Sequence, residues 1–330
     1  MISKRKLLTV CGSLIPNCYH PPAGVLFPYA HIVTDDIPIH VKYLYQSPTI
    51  AKFKSDLDFL ARRYQPLQLS DLERVTRSHD KNGSARYFVL SFDDGMREIY
   101  DIVAPILREK GIPAIFFLNS AMVDNKQLMW RHKVGLLMAR SEQEPTNIPL
   151  QLAIGPSQSV CARLAALQFA EQPILDDIAQ GLDCSFDEYL RSNQPYLTSG
   201  QILELARDGF EFGAHSASHP CFNEIPLQEQ KEQISASVQF IRSLGLPCRY
   251  FAFPFNDNGV PVSVFKHMTE LNIALSFGTS EARVDSVGFS LQRFALDAEN
   301  TDWSVLHLLK QLSAKSVARR ISRTEVIWRN

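Results

Sequence analysis

Tyr87-Phe88-Val89-Leu90-Ser91-Phe92-Asp93-Asp94-Gly95 is an apolar run that stops on two adjacent acids and a glycine, and Pro113-Ala114-Ile115-Phe116-Phe117-Leu118 is a second apolar run close behind it. Both read as buried strands. Between them a helix from about Met96 places Ile99, Ile102 and Val103 on one face. Pro105 should break or kink it and open a second short turn carrying Ile106 and Leu107, and Gly111 should end it. Residues 87–118 therefore form a strand–helix–strand unit, which implies parallel strands and a right-handed crossover.

The same rhythm extends outward. Val25 to Ala30 reads as a strand ending at His31, where Pro28 argues for an edge position or a bulge. From Ser47 to Tyr64 the apolar positions fall at helical spacing. Between about Asp124 and Pro195 the alternation gives way to helical pieces (Leu128 to Ala139, Ser159 to Ala170, Ile174 to Ile178) with joints such as Glu144-Pro145-Thr146-Asn147. It resumes at Thr198, which with Gln201 has the signature of a capping box. Strands are expected at 210–214, 249–254, 273–277 and 291–296, with a helix from Gln228 to Leu244 stopped by Gly245. About seven strands alternating with helices predict an α/β fold, a distorted (β/α) barrel of parallel strands. Its first part is expected over 1–124, a mostly helical insertion forming a cap or lid over 125–197, and the second part with C-terminal helices over 198–330.

The 330 residues are 45% hydrophobic and 21% charged, enough for a large core, and 34 Lys+Arg against 35 Asp+Glu give a net charge of −1. That balance argues against nucleic acid or an anionic membrane as the main partner, and no run approaches the ~20 apolar residues of a transmembrane helix. Met1 to Lys6 followed by Leu7 to Cys11 has the order of a signal peptide, but it breaks at Gly12-Ser13 without a cleavage motif, and a short basic helix is the expected reading. Six scattered cysteines without a C-x-x-C pair read as reduced thiols. They favour the cytoplasm, with export or a membrane-peripheral location as the alternative.

Adjacent side chains on an extended segment point opposite ways, so one of Asp93 and Asp94 can bind a cation while the other stays free as a base. His215-Ser216-Ala217-Ser218-His219 directly follows the apolar stretch Phe210 to Ala214. One carboxylate and two imidazoles suffice to hold a divalent metal and leave positions open, which points to metal-assisted hydrolysis. Adjacent rather than alternate aspartates exclude phosphatase chemistry of the haloacid type.

With these words in place the chain resembles the polysaccharide deacetylase family, the NodB-homology carbohydrate esterases. Ser91 to Gly95 matches its first motif, His215 to His219 its second, and Phe251-Ala252-Phe253-Pro254-Phe255 resembles its third. The resemblance covers about residues 25–124 and 196–296. It implies that Asp94, His215 and His219 hold a divalent metal, usually Zn2+ with Co2+ or Ni2+ possible, that Asp93 is the general base, and that the Phe255 N–H helps hold the oxyanion. Many members carry an arginine in the third motif that tethers the base. Here Ala252 or Phe253 takes that place, and Arg293 is either the substitute tether or a surface residue. The acid is expected from Tyr29-Ala30-His31, as in permuted members, so His31 is assigned, with His40 a weaker candidate and Leu306-His307 discounted as helical. Tyr29, Trp130 and Asp257 are candidates for substrate binding. Trp130-Arg131-His132 could stack on and hydrogen-bond a sugar, or Trp130 could simply pack. The activity implied is removal of N-acetyl groups from an N-acetylated sugar of a surface glycan or its precursor. The alternatives are an amidohydrolase acting on a cyclic amide, or a glycan-binding protein without turnover.

Overall fold

Every position of Leu90–Phe92 and Ala114–Leu118 is buried, as a parallel strand covered on both faces requires. The computed structural model describes residues 24–77, 85–143, 160–297 and 304–330. The basic N-terminal segment, Cys11, Cys18 and the Glu144-Pro145-Thr146-Asn147 joint lie outside them. The barrel strands are β1 (Pro28–Ala30), β2 (Leu90–Phe92), β3 (Ala114–Leu118), β4 (Glu211–Ala214), β5 (Tyr250–Ala252), β6 (Leu275–Gly278), β7 (Ser290–Gln292) and β8 (Phe294–Ala295). All pair in parallel, in the order β7-β6-β5-β4-β3-β2-β1-β8. β7 and β8 are two halves of one extended run, separated only by Arg293. The first half pairs with β6 and the second with β1, so a single stave closes the barrel. Counted as staves, the barrel has the seven strands expected.

Side chains alternate across the wall. On β3, Phe116 packs with the helix-side core that includes Phe92 and Phe212, whereas Ile115 and Phe117 join the cluster of Leu275 and Phe277. Gly213 on β4 is required here, because a Cβ would collide with the Phe117 ring. Pro105 cannot donate a helical hydrogen bond, and the chain answers with a π-helical turn, Ile99–Val103, before the helix Ala104–Lys110 that ends on left-handed Gly111. The capping box at Thr198 and Gln201 is formed.

The first strand differs from expectation. Pro28 sits in an interior stave between β2 and β8, not at an edge. Gly24–Leu26 belongs to a separate three-stranded sheet with Arg86–Phe88 and Gln65–Pro66, so the missing N–H of Pro28 falls where the chain passes from one sheet to the other.

Between β3 and β4 the helices Trp130–Gln143, Val160–Ala165, Ile174–Gly181 and Phe186–Asn193 surround a core of their own, including Leu137, Leu175, Ile178 and Tyr196. The helix Phe186–Asn193 was not expected from the sequence. This cap is pressed onto the loop after β1: a Cβ at Gly135 would strike the His40 carbonyl.

Candidate active site

The C-terminal ends of the staves meet at one rim, where catalytic groups of such barrels collect. The ladders run one residue past the strands, His215 N–H to Leu118 O (2.9 Å) and Asp93 N–H to Ala30 O (3.0 Å), which sets both motifs at the same height. Asp94 then turns away with a φ of +69°, and Ser216, His219 and Phe255 also have positive φ, at +67°, +61° and +56°. Such backbone costs about 1–3 kcal/mol per residue and gathers at functional sites.

Asp94, His215 and His219 converge. One ligand atom from each lies within 4.8 Å of the others, and Asp94 Oδ1 is 3.5 Å from His215 Nε2 and 3.3 Å from His219 Nε2. His215 Nδ1 is 2.8 Å from the Ala252 carbonyl, so it carries the proton and Nε2 presents its lone pair. Burial pushes both imidazoles below their usual range and keeps them neutral, so these contacts are not ion pairs. Burial pushes Asp94 upward, with partial opposition from the charged His31, and its Oδ1 has no hydrogen-bond partner among the described residues. A buried carboxylate oxygen without a donor, facing two neutral imidazoles, fits a divalent cation: the set offers one oxygen and two nitrogens.

The segment between the histidines is held from several sides. Gln233 Oε1 accepts from the N–H groups of Ala217 (3.0 Å) and Ser218 (2.9 Å). Ser216 Oγ accepts from His219 N–H (3.0 Å), Asn119 Nδ2 donates to the His215 carbonyl, and Trp130 Nε1 donates to the His219 carbonyl (2.9 Å). Trp130 is thus buried against the ligand loop with its N–H occupied, and its place is that of packing rather than of an open face for a sugar.

Arg293, fully buried at the closing stave, grips Asp93 with two hydrogen bonds of 2.7 Å and also donates to Ser91 Oγ (3.1 Å). Its guanidinium lies 4.3 Å from the Tyr29 ring centre and 5.3 Å from that of Phe117. Burial alone would raise Asp93, but Arg293, by charge and hydrogen bond, outweighs it and brings the carboxyl down to about 2. The surface reading of Arg293 does not hold.

His31 follows β1 and meets a residue the sequence reading missed. Asp297, just beyond β8, accepts from the His31 N–H (2.7 Å) and pairs with His31 Nδ1 (2.8 Å). Burial would lower this imidazole, but Asp297 by charge and hydrogen bond raises it to about 9. Tyr45 stacks on the ring at 4.7 Å. The available signal was an acid directly after the strand expected at 291–296. His40 lies elsewhere, on the loop after β1 where the cap presses on it, bonded to Tyr189 Oη of the cap (2.8 Å) and pushed by burial to about 3. His307 is helical, as expected. Cys221 contacts Asn223 Oδ1 rather than the ligand trio.

Asp257 does not reach substrate space. It is fully buried, held by Gln292 Nε2 (2.8 Å) and by Arg329, which also binds Asp285, so the expected binding role gives way to an internal clasp. Phe255, two residues earlier, stands at the rim with its ring 4.5 Å from that of His219, and its N–H donates to no acceptor among the described residues.

Tyr29, His31, Asp94, His219 and Phe255 open into a cavity of about 400 Å³ whose far wall is the cap, through Met129, Arg131 and His132. A larger cavity, about 610 Å³, lies between β7 and the helix Val305–Ile321 and contains none of these groups. The sequence matches the polysaccharide deacetylase family over residues 80–274, more than half of the chain. The chain belongs to the polysaccharide deacetylase family. The deacetylase is accordingly an enzyme acting on N-acetylated sugars. Its fold is similar to that of a Streptococcus pyogenes deacetylase, PplD, solved with acetate (15% identity, TM-score 0.55, covering 88% of this chain and 99% of that one). It is similar also to IcaB from Ammonifex degensii (16%, 0.55, 88% and 98%) and to BC0361, a polysaccharide deacetylase from Bacillus cereus (13%, 0.53, 87% and 68%). No curated protein sequence matches it.

Proposed function

We propose that the deacetylase hydrolyses the acetamido group of a sugar in a surface glycan or its precursor, using a divalent cation held by Asp94, His215 and His219. The observation that carries this reading is the convergence of that trio beside an Arg293-held Asp93, with His31 on the same cavity. Zinc, or cobalt or nickel in its place, would polarise the amide carbonyl and acidify the attacking water.

Asp93 is kept ionised and aimed by Arg293, and its carboxylate receives the proton of that water. The free Phe255 N–H is placed to donate to the oxygen of the tetrahedral centre. His31, raised by Asp297, is an imidazolium near neutral pH and gives its proton to the departing amine. The cap covers the cavity and limits access of bulk water.

The test is release of free amine from defined N-acetylated oligosaccharides and lipid-linked sugars, before and after chelation and with zinc, cobalt or nickel restored. Turnover lost on chelation and regained with metal is the expected result. Hydrolysis of cyclic imides only would replace the sugar by the alternative substrate class, and full turnover after metal depletion would overturn the role of the trio.

A further inference from the structure

The first turn of the helix Trp130–Gln143 faces the reacting groups across the cavity, and both polar side chains it places there are donors. Arg131 is half-buried. Its NH1 group donates to the carbonyls of Ala165 (3.0 Å) and Leu167 (3.5 Å) and its guanidinium lies 4.8 Å from the Trp130 ring centre, with no ion pair to a carboxylate among the described residues. Burial pulls its pKa down and Glu224 opposes this from further away. A guanidinium partly stripped of water without a counterion is a cost that a ligand can offset.

His132 is 1% exposed, and its protonation pattern is dictated by its neighbours. Tyr196 Oη accepts from the Met129 N–H (3.0 Å), so its own O–H donates to His132 Nδ1 (2.6 Å). Nδ1 is therefore the acceptor, and in the neutral ring Nε2 carries the hydrogen. Burial pushes the imidazole well below its usual range and keeps it neutral. Nε2–H has no partner among the described residues. The N–H groups of Arg131 and His132 also belong to the helix's first turn, whose backbone donors lack acceptors within the helix and carry its positive end. The one acid lining the cavity is Asp94, a member of the ligand trio.

We infer that this wall binds an oxyanion carried by the substrate, so that the enzyme acts on an acetamido sugar bearing a phosphate or a carboxylate close to the acetamido group. The inference rests on the deacetylase reading and narrows its substrate. A neutral sugar could use the two donors, but it would bring no counter-charge to Arg131, which has only the Trp130 ring face at 4.8 Å and the more distant Glu224 among the described residues.

The experiment compares a neutral N-acetylglucosamine oligomer, a phosphorylated N-acetylglucosamine and an N-acetylglucosamine–uronate disaccharide, by steady-state turnover and by binding calorimetry. The two anionic arms separate phosphate from carboxylate. An anionic substrate is expected to have a KM about 10–100-fold below the neutral one at low salt, as for a charge-assisted pair, with the ratio shrinking as salt is added. Arg131→Gln should collapse the KM ratio and Arg131→Lys should keep part of it. His132→Gln, which retains one donor, tests the second contact without removing all polarity. Equal KM values for neutral and anionic sugars, or an undiminished ratio in Arg131→Gln, would overturn the inference while leaving deacetylation intact. If no arm is hydrolysed, the deacetylase reading fails. The calorimetric preference for the anionic sugars, present or lost in Arg131→Gln, then still supports or overturns the anion site.

Discussion

At the scale of single residues, His31 and Asp93 are tuned in opposite directions by partners on, and just beyond, the closing stave. His31 is raised to about 9 by Asp297, so the acid form persists through neutral pH and kcat/KM should fall as pH passes about 9. The linkage has the sign of a group with a raised folded pKa: its stabilisation is complete below about 6.5 and lost as pH climbs through about 9. Asp297→Asn should move the alkaline limb of the pH–rate profile down toward the ordinary histidine value, and an unmoved limb would assign the proton to another group. His31→Ala and Asp93→Asn are each expected to cut kcat by about 10²–10⁴, read with a single defined substrate. Arg293→Met should do more than slow turnover: it strands the buried Asp93 charge, at about 3–5 kcal/mol of stability by denaturant titration.

Among elements, the ligand loop after β4 depends on groups delivered by others: Gln233 from the helix Leu227–Ser243 and Trp130 from the cap. Trp130→Phe keeps the bulk and removes one hydrogen bond to the His219 carbonyl. Metal affinity should fall by about 10–100-fold in a titration of the metal-free protein, as for other groups that orient ligands. These dependencies mark where sequence reading succeeds and stops. Short range suffices for the Asp-Asp pair, the two histidines and the capping box, because each lies at the end of an apolar run whose period reveals the strand or helix. It does not suffice for Asp297, whose signal is a lone acid that gains meaning only when β8 pairs with β1 and sets it beside His31. Asp257, expected to bind substrate, failed for the complementary reason: Arg329, distant in sequence, holds it inside.

For the molecule as a whole, the proposed cation would stabilise the folded form, which gathers the trio, more than the unfolded chain, which scatters it. Saturating zinc should therefore raise the melting temperature of the metal-free enzyme, and at 100 times Kd the gain approaches about 2.7 kcal/mol. A His215→Ala/His219→Ala variant should lose most of that shift, and differential scanning calorimetry checks it.

The stave from Ser290 to Ala295 completes the barrel, and Arg293 and Asp297 travel with it. On the ribosome this segment emerges after every other group of the catalytic rim. A chain that stops short of it can hold Asp94, His215 and His219, the proposed cation trio, and still lack both Arg293 for Asp93 and Asp297 for His31. Under the proposed mechanism, hydrolysis waits on the folding of this last stave.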